Sequence, residues 1–279
     1  AFVKYSAGIA KERSLPKLNS QSLRAKISKG SISLKPIGTK KKSVFLFVDE
    51  FSNYLDVEIG IDAIELLTKL GYEVKVVNHE ESGRAYFSKG LLDEAQKFID
   101  KNVKIFSSLV SKEVPLLGIE PSTVLSFRDE YLTLASDKAS AEKLSKHVFL
   151  IEEFLNSEIQ SGHLKAEQFS EEEREIKIHN HCYQKALSSQ IHTFNLMNLP
   201  RNFKVTMIPS GCCGMAGSFG YEKEHYQVSQ SIGELVLFPA VRKSKAIICA
   251  NGTSCRHQIK DGTHKEAIHP VSILNKFVL

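Results

Sequence analysis

The sequence predicts an α/β protein of two tandem repeated units, each a mainly parallel sheet covered by helices, with a basic extended arm in front. Three observations carry that prediction. Apolar runs of strand length alternate with stretches of helical periodicity. The alternation recurs in the second half of the chain at nearly the same spacing. Before Ser43 there is no sustained periodicity at all.

Residues 1–42 carry eleven Lys or Arg against one acid, Glu12, so this segment is +10 in a chain of net charge +5 and the remainder is −5. Rich in Ser, Lys and Gly, it reads as a solvated arm or interdomain linker. No aromatic interleaving or recognition helix accompanies the charge, so nucleic acid is not an expected partner. Residues 43–165 read as the first unit. The run 44–48 is a buried strand, 59–70 a helix stopped by Gly71, and 72–77 a second strand. A helix opens at 91–99, a third strand lies at 116–119, and 136–170 is helical and charged. Residues 166–279 read as the second unit, with strands at 175–180, 204–208 and 246–249 and helices at 184–194, 221–235 and 270–277.

No apolar run is long enough to cross a bilayer, and no apolar block follows the charged N-terminus as it does in a signal peptide. The chain is therefore expected in the cytoplasm, at most peripheral to the inner face of the membrane. Its start at Ala rather than Met reads as a piece of something longer. Five cysteines, an odd number gathered late in the chain, do not make a secreted disulfide framework. In a reducing compartment they point to metal, cluster or redox chemistry.

The two halves can be laid over each other. With 47–51 matched to 179–183, Glu50 falls on Cys182, Glu81-Ser82-Gly83 on Cys212-Cys213-Gly214, and Ser122-Thr123 on Ser254-Cys255. The separations are 31 residues (50 to 81) against 30 (182 to 212), then 41 (82 to 123) against 42 (213 to 255). The first unit thus reads as the same scaffold with Glu, Ser or Thr at every cysteine position.

In an open α/β sheet, ligands collect at the loops beyond the carboxyl ends of the strands. Cys182, the pair Cys212-Cys213 and Cys255 each follow a predicted strand, so they are expected to meet there as one redox or metal site. Adjacent thiolates suit a polynuclear iron–sulfur centre, where neighbours can bind different irons. A zinc ion held by Cys182, one of the pair, Cys255 and a histidine such as His181 is the alternative, and bare thiols are a third reading. Cys249 lies inside a predicted strand and reads as core. His179 flanks the first loop and is a candidate to tune or bind the centre. Arg256 and His257 offer positive charge to thiolates, while Lys185 reads equally as a surface residue.

The segments 210–220, 179–186 and 252–256 together resemble the cysteine-rich CCG-domain family of iron–sulfur oxidoreductases. That family includes the heterodisulfide reductase B subunit and the iron–sulfur subunits of glycolate oxidase and anaerobic glycerol-3-phosphate dehydrogenase. It also includes the C-terminal part of FAD-linked D-lactate or D-2-hydroxyglutarate dehydrogenases, which this chain resembles most. The resemblance covers roughly 43–279. It implies two units in tandem and a 4Fe–4S-type cluster, or alternatively zinc, on Cys182, Cys212, Cys213 and Cys255. It further implies an electron acceptor, and FAD and ferredoxin-like domains that are absent from this chain. The resemblance makes this an electron-transfer module of a 2-hydroxy-acid oxidoreductase, inactive on substrate by itself. Three departures from the family pattern matter. The first unit lacks its cysteines, which argues against two clusters. The single cysteine of the last motif and Cys249, only six residues before Cys255, leave both iron–sulfur and zinc as readings.

Overall fold

The computed structural model describes Lys4 and residues 6–279. Two four-stranded sheets account for all the named strands. β1 (Lys42–Phe47), β2 (Tyr72–Lys75), β3 (Leu116–Gly118) and β4 (Val148–Leu150) form the first, in the order β2-β1-β3-β4. β5 (Arg174–His179), β6 (Phe203–Met207), β7 (Ile247–Ala250) and β8 (Ala267–Ile268) form the second, in the order β6-β5-β7-β8. Every pairing is parallel. The repeat read from the sequence is therefore a repeat of topology. The sequence reading missed β4 and β8, which are only three and two residues long and give no period to detect.

Parallel strands buried on both faces should be apolar throughout, and β1 is: Ser43 to Phe47 are all buried. The amphipathic helix Val57–Lys69 runs back along the sheet and turns out at Gly71, whose φ of +92° an L residue rarely adopts. It packs on the closing helix Pro270–Phe277 of the second unit. One apolar cluster accordingly runs through both units, joining Val44, Leu46 and Leu67 to Ile176, Ile178, Cys249 and Leu274. Truncating a buried leucine such as Leu67 to alanine is expected to cost about 2–5 kcal/mol. Cys249 is fully buried in β7, as its strand position predicts.

Some boundaries differ from expectation. The helix read over 184–194 is two helices, Cys182–Leu187 and Ile191–Met197, because Ser188 leaves helical geometry at φ −148°, ψ −142°. The helix read from 221 begins at Tyr226, and Leu92–Phe106 runs on well past 99. Cys255, expected in a loop beyond its strand, lies instead in a helix that begins at Thr253 and continues to Thr263.

The basic arm is not solvated throughout. Arg13 is fully buried, donating from Nε to Gly220 O at 2.6 Å and from an Nη to Ser229 Oγ at 2.8 Å. Ser14 binds Asp261 and His257 of the second unit. Leu23 is buried against Gly60, and Arg24 reaches Val48 O and His79 O in the first unit. The arm straps both units, because its few buried side chains find carbonyls and acids that net charge alone does not disclose.

The two sheets present their carboxyl ends to each other. Residues just beyond the strand ends bond across the gap, Glu120 to Thr253 and Glu152 to Asn251, and from later helices Arg84 and Glu130 reach Tyr183.

Candidate metal centre

Each cysteine stands at the mouth of a strand–helix turn. Cys182 opens the helix after β5, capped by His181, whose Nδ1 accepts from Tyr183 N–H at 3.1 Å. Cys212 and Cys213 follow β6 in a turn closed by Gly214, at φ +96°. A Cβ at 214 would lie 2.3 Å from Ser229 O, so only glycine lets the chain pass. Cys255 is the third residue of the helix that follows β7.

The sulfurs form an unbroken row. Cys182 neighbours Cys212, Cys212 neighbours Cys213, Cys213 neighbours Cys255, and Cys255 lies beside His179. The row runs inward: Cys182 is exposed, Cys212 half-buried, and Cys213, Cys255 and His179 are buried. Neighbouring thiols cannot all ionise in this space. The Cys212 thiol is pushed down by hydrogen bonding from Cys182 and Cys213, and Cys255 by hydrogen bonding from Cys213. Cys182 and Cys213, the donors, are pushed up by those same bonds and by burial. Such a row holds protons in place of a cation, and a soft metal that replaces them relieves the competition.

Buried amides hold the three loops in register. Asn251 accepts from His181 N–H and donates to Gln184 Oε1, tying the Cys255 loop to the Cys182 loop. Gln258 Nε2 donates to Cys213 O at 2.9 Å, tying the third loop to the second. From the first unit, Glu120 Oε2 accepts Thr253 N–H at 2.7 Å while Oε1 faces His181 Nε2 at 3.8 Å. One carboxylate thus braces the caps of two cysteine-bearing helices. Sequence reading passed over Glu120 because it belongs to the half without cysteines.

The charged and imidazole groups sort differently from expectation. Lys185 is the nearby cation: Nζ donates to Ser210 O at 2.6 Å and Gly211 O at 2.9 Å, within the field of all four thiols. Burial holds its pKa below the usual lysine value, and the thiolates work against that shift. Arg256 turns away to Asn251 O and Asp56, and His257 to Tyr221 and Ser14. His181 is occupied as a cap on one side and faces a carboxylate on the other. The ligand atoms of His179, Cys213 and Cys255 all lie within 4.8 Å of one another, a buried set that fits a metal ion.

Two parallel sheets meeting at their carboxyl ends, one of them bearing a row of sulfurs on three loops, define a two-unit, cysteine-bearing α/β module able to hold a metal. Comparison of the whole chain with known proteins gives relatives of two kinds. It is 27% identical to D-2-hydroxyglutarate dehydrogenase of Haemophilus influenzae over 93% of this chain and 26% of that protein. With the Escherichia coli protein of the same name it is 27% identical over 86% of this chain and 23% of the relative. It is also 27% identical to the C subunit of anaerobic glycerol-3-phosphate dehydrogenase from Escherichia coli, over 84% of this chain and 59% of that relative. The chain thus spans about a quarter of the first two relatives and less than two thirds of the third. No family model matches it. Among the described residues no helix is long and apolar enough to cross a membrane.

Proposed function

We propose that this chain is the electron-transfer module of a larger oxidoreductase, with a redox-active metal centre on Cys182, Cys212, Cys213 and Cys255. The observation that carries the reading is the unbroken row of four sulfurs, contributed by three loops at the carboxyl ends of one parallel sheet. The names of its relatives, dehydrogenases of D-2-hydroxyglutarate and glycerol 3-phosphate, support a redox role. The small 2-hydroxy acid belongs to the reading through the first of them. FAD and ferredoxin-like clusters then lie in partner domains, and an external acceptor takes the electrons.

An iron–sulfur centre of the 4Fe–4S type, when bound, supplies one-electron transfer at a potential set by charge, hydrogen bonds to sulfur and burial. The residues around it have defined work. Asn251, Gln258 and Glu120 hold the loops in register, Lys185 offsets thiolate charge, and Cys182 marks the side from which electrons reach solvent or a partner. Anaerobic reconstitution with iron and sulfide tests the proposal. Cluster absorbance and a paramagnetic reduced state are expected, both lost in Cys212→Ser. A protein that takes up tight zinc but no iron would instead establish a structural zinc module, the reading favoured by the single-ion spacing of His179, Cys213 and Cys255.

A further inference from the structure

We infer that His179 is itself a ligand of this centre, through Nε2, and that His181 is not. The inference rests on the reading of the cysteine row as a metal site and names a donor that the cysteine pattern does not contain. Three observations carry it. His179 is 1% exposed, at the last position of β5, and its Nε2 is buried with no hydrogen-bond partner. A buried imidazole nitrogen left unpaired loses its hydration for nothing unless something else takes its lone pair. A ring nitrogen of His179 lies within 4.8 Å of Cys213 Sγ and Cys255 Sγ, and with Nδ1 engaged by Ser210 the free donor is Nε2. A modest inward movement of these three donors reaches the 2.0–2.3 Å ligand distances that metals such as zinc require.

The other ring nitrogen is compatible with a tautomer that frees Nε2. His179 Nδ1 lies 2.7 Å from Ser210 Oγ, whose own hydroxyl can donate onward to Ile208 O at 3.5 Å. With Ser210 accepting, the proton sits on Nδ1 and the Nε2 lone pair points into the site. This is how metal-bound histidines are commonly oriented, by a hydrogen bond on the nitrogen away from the metal. Ser210 precedes the Cys212-Cys213 turn, so one hydroxyl couples the imidazole to the loop bearing two of the sulfurs. His181 has the opposite arrangement. Its Nδ1 accepts from Tyr183 N–H at 3.1 Å and lies farther off, at 4.0 Å, from Cys182 Sγ, while its Nε2 faces Glu120. It also fills the space at Gly252, where a Cβ would come within 2.3 Å of its ring. The donor sequence from surface to core is therefore Cys182, Cys212, Cys213, Cys255 and His179. A nitrogen occupies the buried end, where the last motif has one cysteine instead of two.

Cobalt(II) is a suitable probe, because its absorption and X-ray absorption spectra report ligands without any catalytic assay. The full chain, purified anaerobically and stripped of metal, would be titrated with cobalt(II) alone. Thiolate-to-cobalt absorption and one imidazole nitrogen in the coordination shell are expected. His179→Gln should lose that nitrogen and bind more than about 100-fold more weakly. Ser210→Ala should keep the nitrogen but weaken binding by about 10–100-fold, the usual effect of removing a hydrogen bond behind a ligand. His181→Asn, which preserves a capping side chain, should keep the imidazole signal. An all-sulfur shell in the wild-type protein, unchanged affinity in His179→Gln, or loss of the nitrogen in His181→Asn would each overturn the assignment while leaving the metal centre standing. A wild-type protein that binds no cobalt overturns both readings together. If His179→Gln does not fold, the wild-type coordination shell still decides.

Discussion

The first and second units share strand order, parallel pairing and turn positions, yet they solve the same problem at the strand ends with different chemistry. Glu50 and Cys182 each open the helix after the first strand of their unit. Gly83 and Gly214 both close the second loop at positive φ, and Thr123 and Cys255 are each the third residue of the helix after the third strand. In the second unit these positions form a row of sulfurs. In the first, Glu50 accepts from Ser82 Oγ at 2.6 Å and from Ser82 N–H at 3.0 Å, and Tyr131 donates to Ser82 O. A hydrogen-bonded carboxylate spans the first two of the three loops that sulfurs span in the other copy. The difference teaches that loops brought together by this fold need a cross-link, and that hydrogen bonds suffice where no sulfurs stand.

The largest expected effect comes from breaking the sulfur row. Cys255→Ser should reduce metal affinity by more than about 100-fold, equivalent to about 2.7 kcal/mol, in an equilibrium titration. Cys249→Ala, which lies off the row and inside β7, should leave metal stoichiometry unchanged. Arg13→Ala comes next. It leaves Asp261 and the carbonyl of Gly220 without a buried cation, and should lower stability by about 3 kcal/mol in urea unfolding. In the first unit Glu50→Ala strands the Ser82 hydroxyl and N–H and should cost about 1–3 kcal/mol, with metal binding intact. That result would show the carboxylate strut to be structural and local to its own copy.

A pH slope set by the first unit sharpens the comparison further. Asp49 is fully buried, and burial, with Glu50 and Glu120 nearby, raises its pKa from 3.8 to about 8. The folded state then binds this proton more tightly than the unfolded state. The contribution is full below about pH 4 and is lost as pH rises through about 8. Asp49→Asn keeps an oxygen for the N–H groups of Phe51 and Ser52 and should flatten the fall in stability between pH 5 and 8. An equally steep fall in the variant would place the titrating group elsewhere, Glu152 at about 7 being the next buried acid.

Much of the candidate site was legible in the sequence, because each of its four cysteines follows an apolar run and glycines mark the tight loop. Matching Glu50, Ser82 and Thr123 to cysteines rested on spacing alone, and each match has a counterpart in turn position and backbone geometry. What was not legible has a common character. Arg256 and Lys185 could not be ranked as partners of the thiols, because the choice depends on which carbonyls lie within reach of each side chain. Arg13 looked like one more basic residue of an arm, although it is buried beneath the second unit.

By itself, the sequence determined the layer architecture, the tandem repeat and the identity of the three loops that carry sulfur. These follow from periodicity and turn chemistry within some tens of residues, where local sterics and burial dominate. Only the tertiary structure decided that the sheets face each other at their carboxyl ends and that Glu120 braces the opposite copy's site. It also decided that the arm is strapped down and that His179 Nε2 is buried without a hydrogen-bond partner, while His181 caps the Cys182 helix. Those outcomes depend on contacts between residues far apart in the chain, whose geometry no local pattern encodes.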